Sequence, residues 1–340
     1  MSTLFDWRVR FASCDVRRMM KPFLAMLCLC AQATLAHAAA TAAVDCPLRD
    51  APYSLDTPLI DVLLSPAARA AAETAAPGLT QGLPAMMAST SPPSYAAIVS
   101  MRGLVALRRM PENVLPPLAS ALAQVPVTEA DKVARCGRYD VEAPSFRMPK
   151  GRPRILLFEK INGYRDGPSV SAAHKLLVDL AAREGWGIVA VDKGGAVNPK
   201  TLSKFDVVIW NNISGDALTL TQRAALKAWM ERGGGFVAVH GSGGDPTHYW
   251  DWYVDALIGA RFIGHTYEPQ FHDARIVIET SKSGIGAGLA PGWTMNDEWY
   301  SFAESPRLKG ADVVATLDET SYSPKGRGGQ DLRMGDHPIA

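Results

Sequence analysis

Gly233-Gly234-Gly235-Phe236-Val237-Ala238-Val239-His240-Gly241-Ser242-Gly243-Gly244-Asp245 is the stretch whose reading decides the fold. Its apolar run is too short for a helix, and the glycines before it stop an amphipathic segment, Leu220 to Arg232, whose Ala224, Leu226 and Trp229 fall roughly at helical spacing. Helix, glycine stop, apolar run and glycine-rich loop make half of a βαβ unit. The run is therefore expected to be a buried strand ending in a histidine. In an open parallel sheet ligands collect beyond the carboxyl ends of the strands, which puts His240 at the expected site.

Upstream the same alternation recurs. Arg154 to Glu159, Gly187 to Val191 and Phe205 to Trp210 read as strands, with a loop from Lys160 to Pro168 and a helix from Ser169 to Glu184 after the first. Near-continuous apolar strands alternating with helices predict an α/β fold, a doubly wound parallel sheet covered on both faces. Three strand ends then present polar loops on one edge: Asn162-Gly163-Tyr164-Arg165-Asp166, Asn211-Asn212, and His240 with its glycines.

Before the linker Pro149-Lys150-Gly151-Arg152-Pro153 the composition shifts to Ala, Pro and Leu, and residues 45–146 read as a small helical module. Asp56 is expected to cap a first helix through Leu64, Ser65-Pro66 to open a second through Ala75, Ser94 a third, and Pro111-Glu112 a fourth running to about Val125. The module holds no cluster of chemically useful residues and reads as a packing or docking unit. Arg17-Arg18-Met19-Met20-Lys21, the apolar stretch Phe23 to Leu35 and Ala36-His37-Ala38 together read as a signal peptide over residues 1–38, with residues 1–18 an upstream extension if translation starts at Met19 or Met20. Export predicts a periplasmic or secreted protein. Cleavage removes Cys14, Cys28 and Cys30, and the remaining Cys46 and Cys136 are expected to form one disulfide.

Charge excludes some partners. At 340 residues, 20% charged and a net charge of +1, with no basic run, the chain carries no nucleic-acid footprint, and no segment after the signal is long enough for a stable membrane span. A small-molecule ligand remains.

From Arg154 to Ala340 the chain resembles the ThuA-like, or trehalose-utilisation, family, whose fold is that of class I glutamine amidotransferases. The motifs occur in order: Gly163-Tyr164-Arg165, Asn212-Ile213-Ser214-Gly215-Asp216, the run Gly233 to His240, Gly259-Ala260-Arg261-Phe262-Ile263-Gly264-His265, Asp297-Glu298-Trp299-Tyr300, and Asp336-His337-Pro338-Ile339-Ala340. The resemblance does not reach the helical module. It implies a flavodoxin-like sheet and a link to carbohydrate, with trehalose or a related disaccharide, keto-disaccharides included, as substrate. Two departures stand out. The family commonly has Arg-His after the first strand, where this chain has Arg165-Asp166, and it usually continues past Asp-His-Pro into a further strand near a Gly-His pair, so part of the sheet or site wall is expected to be missing at the C-terminus.

Amidotransferases place a cysteine on the turn that His240 occupies here, and Cys46 and Cys136 lie outside the α/β region, so cysteine-dependent amidotransfer is excluded. Imidazole at a strand end suits general acid/base work or metal ligation. His240, Glu298 and His337 are the candidates for chemistry. Tyr164, Arg165, Asn212, His265, Asp297, Trp299, Tyr300 and Asp336 are the candidates for holding a sugar, aromatic faces packing on its apolar side while carboxylates and amides take its hydroxyls. Asp297 and Glu298 alternate along a strand, which points one of them, taken as Glu298, into the site. His240, His265 and His337 are candidate ligands for a divalent metal, although no two histidines have the spacing of a helical zinc motif. Two functions stay open: a hydrolase or lyase acting on sugars, and a noncatalytic carbohydrate-binding protein in a degenerate amidotransferase-like pocket.

Overall fold

The structure is a computed structural model that describes residues 43–245, 250–279 and 282–340. The signal peptide, and with it the export reading, lies outside the described residues, as do His248 and Tyr249. Among the described residues no helix is long and apolar enough to cross a membrane.

The first part folds as short helices: α1 (Leu59–Leu63), α2 (Pro66–Ala75), α3 (Met101–Leu107), α4 (Leu115–Ala123) and α5 (Glu129–Cys136). Ser65 caps α2 as expected, its hydroxyl accepting from Ala68 N. Asp56 does not cap α1, because Pro58 stands at that position and Asp56 pairs instead with Arg102. Ser94 opens only a tight turn, Tyr95–Ala97, and Ser100 caps the helix that follows. The reading missed α5, although Thr128 and Asp131 bond reciprocally across its first turn, the arrangement that satisfies two free N–H groups at once. Tyr53, Ile60, Leu79, Met101, Leu118 and Leu122 form the core of this part. Cys46 and Cys136 are bonded, with Cα atoms 5.3 Å apart, and tie its start to its end.

The four strands β1 (Arg154–Phe158), β2 (Gly187–Val191), β3 (Val207–Asn211) and β4 (Gly235–Val239) pair in the order β2-β1-β3-β4, all parallel. The long helix α6 (Gly167–Glu184), capped by Asp166, covers one face through Leu177 against Ile155, Leu157 and Ile209. After the short α7 (Pro199–Leu202), α8 (Leu220–Glu231) covers the other, Leu226 and Trp229 packing with Phe158, Val208 and Trp210. This is the doubly wound sheet expected, with one correction. The run Phe236 to Val239 is a strand but not a buried one: β4 ends the row, and Val237 is 45% exposed.

Past His240 the chain leaves the parallel sheet. A π-helical segment, Trp252–Ile258, leads to β5 (Phe262–His265), which pairs antiparallel with β8 (Tyr300–Phe302). β6 (Phe271–Ile278) lies between β7 (Gly292–Glu298) and β9 (Ala315–Asp318), also antiparallel. The registers set His265 opposite Tyr300 and Phe271 opposite Glu298, so residues far apart in sequence reach one place.

Residues 44–340 form one compact unit. The carbonyl of Asp45 accepts from Leu220 N at 3.0 Å and its carboxylate from Thr221 N at 2.8 Å, so the first described turn supplies acceptors that the start of α8 needs. Gln222 Nε2 donates to the Asp140 carbonyl at 2.6 Å, and Lys160 pairs with the Asp140 carboxylate at 2.7 Å.

Candidate functional site

His240 follows β4 with φ 46°, in the left-handed region, and Asn212, after the neighbouring β3, has φ 56°. The two unusual backbones face each other, Asn212 Oδ1 lying 2.6 Å from His240 Nδ1. A chain of amides fixes which atom donates. Asn211 Nδ2 donates to Glu159 Oε1 at 2.7 Å and to the Val170 carbonyl at 3.0 Å, leaving its oxygen to accept from Asn212 Nδ2 at 2.8 Å. Asn212 Oδ1 is then the acceptor for His240, whose Nδ1 carries the hydrogen. The neutral ring therefore keeps its free lone pair on Nε2.

Nε2 points at the antiparallel strands. The Tyr300 hydroxyl donates to it at 2.8 Å, and Glu298 Oε2 lies 3.3 Å away. Gly244 permits the approach, since a Cβ there would overlap the Tyr300 ring. Glu298 Oε1 accepts from Gln270 Nε2 and lies 3.4 Å from His265 Nδ1, which also sits 2.8 Å from the Thr266 carbonyl. Burial raises the Glu298 carboxyl, but the hydrogen bonds from Gln270 and from His240 in its protonated form, with the charges of protonated His265 and His240, outweigh it, and the net shift is downward. Glu298 is thus held as a carboxylate. Burial, with the Glu298 charge beside it, drives the Tyr300 phenol well above its ordinary value, so it stays a neutral donor.

These groups line a cavity of about 420 Å³, within the range of roughly 300–1,000 Å³ common for small-molecule sites. His240, Glu298, Tyr164, Asn212, His265, Asp297 and Tyr300, all expected at the site, line it together. Asp297 and Glu298 both line the cavity, rather than Glu298 alone, and the Asp297 carboxylate turns back along the strand, Oδ1 accepting from Glu298 N at 2.9 Å. Asp166 lines the cavity while capping α6.

The other expected residues lie elsewhere. Arg165 faces a separate cleft with Lys160 and Asp192. His337 is 1% exposed, its Nδ1 2.8 Å from Glu319 Oε1 and its Nε2 2.8 Å from the Tyr300 carbonyl, so it props the strand that carries Tyr300 instead of entering the cavity. Trp299 is core, its ring N–H bonded to the His272 carbonyl. Asp336 pairs with Arg307. The three histidines named as metal ligands do not converge, and among the described residues no group of three or more His, Cys, Asp or Glu is placed to hold a metal ion.

Sequence reasoning missed several lining residues. Tyr95 comes from the helical part, and Phe271, Gln270 and Arg327 from beyond the parallel sheet. Nothing in a single sequence links position 95 to position 240. Asp245 was in view but not singled out: it is 4% exposed, accepts from Ser214 Oγ at 2.8 Å and from Gly215 N, and burial pushes its carboxyl up to about 7 against those bonds, the Asp216 charge adding to the rise. It fastens the loop after β3 to the turn that carries His240. Ser242 does the same from its buried hydroxyl, which accepts from Ile213 N at 2.9 Å and donates to the Trp210 carbonyl at 3.1 Å.

Residues 154–340 match the family model ThuA, described as trehalose utilisation. Among solved structures, the chain is similar to a ThuA-like protein from Bacteroides uniformis, with 23% identity, 58% of this chain and 80% of that chain covered, and a TM-score of 0.48. A ThuA-like protein from Parabacteroides merdae matches at 13% identity over 52% and 77% of the two chains, with a TM-score of 0.33. PurLQS from Thermotoga maritima matches at 11% identity over 55% and 87%, with a TM-score of 0.30. No curated protein matches the chain.

Proposed function

The chain belongs to the ThuA family, which has a role in carbohydrate use, and we propose that it is an enzyme transforming trehalose or a related disaccharide by proton transfer at His240. One observation carries the reading: His240 Nε2 stands 2.8 Å from a neutral phenol and 3.3 Å from an ionised carboxylate, inside a cavity of ligand size. With Nδ1–H committed to Asn212, Nε2 is the basic nitrogen, and once the Tyr300 hydroxyl turns from it to a substrate oxygen it takes a proton from a sugar hydroxyl or carbon. Glu298 stabilises the imidazolium that forms, and the Tyr300 hydroxyl donates to oxygen as negative charge develops there. His265 and Gln270 hold the Glu298 carboxylate in place, and Asp297 and Asp166 offer acceptors for further hydroxyls. Export belongs to the same proposal. The Cys46–Cys136 disulfide supports it, since such bonds persist in oxidising compartments.

The test is turnover of trehalose and of keto-disaccharides by the purified protein, alongside calorimetric binding. We expect turnover, reduced on the order of 10²-fold or more in His240→Asn. Tight binding without any turnover would favour the noncatalytic reading, and neither binding nor turnover would end the carbohydrate assignment.

A further inference from the structure

The helical part of the chain reaches the cavity through a single turn. Ser94 N donates to the Asn162 carbonyl at 3.0 Å, which seats the turn Tyr95–Ala97 on the loop after β1. Gly163 makes the fit possible, because a Cβ there would overlap both the Ile98 side chain and Ser214 Oγ. Tyr95 consequently stands in the cavity wall, its ring centroid 6.3 Å from that of Tyr164 and perpendicular to it. Arg327 lies over the Tyr267 ring, 4.6 Å from its centroid, with Nη2 donating to the phenol oxygen at 3.1 Å, and both line the same cavity. Tyr95, Tyr164, Tyr267 and Arg327 all line that cavity, so the four side chains share one rim. Tyr95 is 43% exposed and Tyr164 58%, large rings left open to solvent at the mouth of the site.

We propose that Tyr95, Tyr164, Tyr267 and Arg327 form a second sugar-ring subsite, to which the helical part of the chain contributes Tyr95. The proposal rests on the carbohydrate reading above. A pyranose presents an apolar face of C–H groups that packs on a phenol ring, and its edge carries hydroxyls that a guanidinium can reach. Tyr267 holds the Arg327 guanidinium in place, so little side-chain freedom is lost when it bonds a ligand. A single ring held at His240 leaves this rim uncovered, whereas a second ring continues along the same cavity wall onto it.

Calorimetric titrations with trehalose, maltose and glucose test the subsite in the wild type, Tyr95→Ala, Tyr95→Phe and the control Met86→Ala, an exposed residue that does not line the cavity, with thermal melts to confirm folding. We expect Tyr95→Ala to weaken disaccharide binding about tenfold, the scale of one lost aromatic contact, and to weaken glucose by a clearly smaller factor. Tyr95→Phe keeps the ring and is expected to keep the disaccharide affinity, as is Met86→Ala. Equal weakening of glucose and disaccharides by Tyr95→Ala, or no weakening of either, overturns the subsite while the carbohydrate reading stands. A folded wild type that binds none of the three sugars overturns both.

Discussion

Position 240 holds a histidine at φ 46° and its partner an asparagine at φ 56°. A side chain in the left-handed region costs on the order of 1–2 kcal/mol, and such strain survives where the surroundings require the pose. Here the pose aims Nδ1 at Asn212 and Nε2 at Tyr300 and Glu298. Asn212→Gly tolerates the same backbone and removes only the amide that sets the tautomer. We expect its kcat to fall on the order of 10²-fold, with urea stability within about 1 kcal/mol of wild type. Unchanged kcat with a large stability loss would make the amide a structural prop. Glu298→Gln keeps the shape but loses the charge that stabilises the imidazolium, and kcat is expected to fall by a similar factor in steady-state assays; unchanged kcat would remove Glu298 from the chemistry. At this scale the sequence reveals residues at strand ends, because the end of a parallel strand fixes where its last side chain goes. It does not reveal Arg165 or His337 correctly, since a loop motif locates a residue without fixing the direction of its side chain.

Loops and strands carry the next level. Asp245 joins the loop after β3 to the turn after β4, and its carboxyl is raised from 3.8 to about 7 by burial. A folded chain that holds this proton more tightly than the unfolded chain is stabilised fully below about pH 4 and loses that contribution as pH rises through 7, a loss on the order of 4 kcal/mol. Asp245→Asn keeps a neutral side chain at every pH. Urea midpoints measured between pH 4 and 8 are expected to fall with pH more steeply in the wild type than in the variant; parallel curves would show that Asp245 titrates normally. The parallel strands were legible because each is a compact apolar run between a helix and a polar loop. Of the antiparallel strands only the Asp297-Glu298 end of β7 was read as one, because its neighbours are set by register with β6, which no local pattern records. The edge position of β4 is likewise a property of strand order, invisible in the run Phe236 to Val239 itself.

Across the whole molecule, the family match begins at residue 154, yet the cavity takes Tyr95 and Ile98 from the helical part before it. That part was expected only to pack or dock, and the contact was hidden because the two segments meet through the fold. The Cys46–Cys136 bond ties its start to its end, closing a separation of 90 residues. Replacing both cysteines by serine is expected to lower unfolding free energy by about 2–4 kcal/mol, read by denaturant titration of oxidised protein. An unchanged midpoint would show that packing alone secures the segment. We propose that the His240 cluster and the aromatic rim are one carbohydrate site. A crystal structure of Glu298→Gln with trehalose tests this, and we expect a sugar oxygen within about 3.2 Å of His240 Nε2 and a second ring against Tyr95. Trehalose bound outside this cavity, or inside it without touching His240, would contradict a single site.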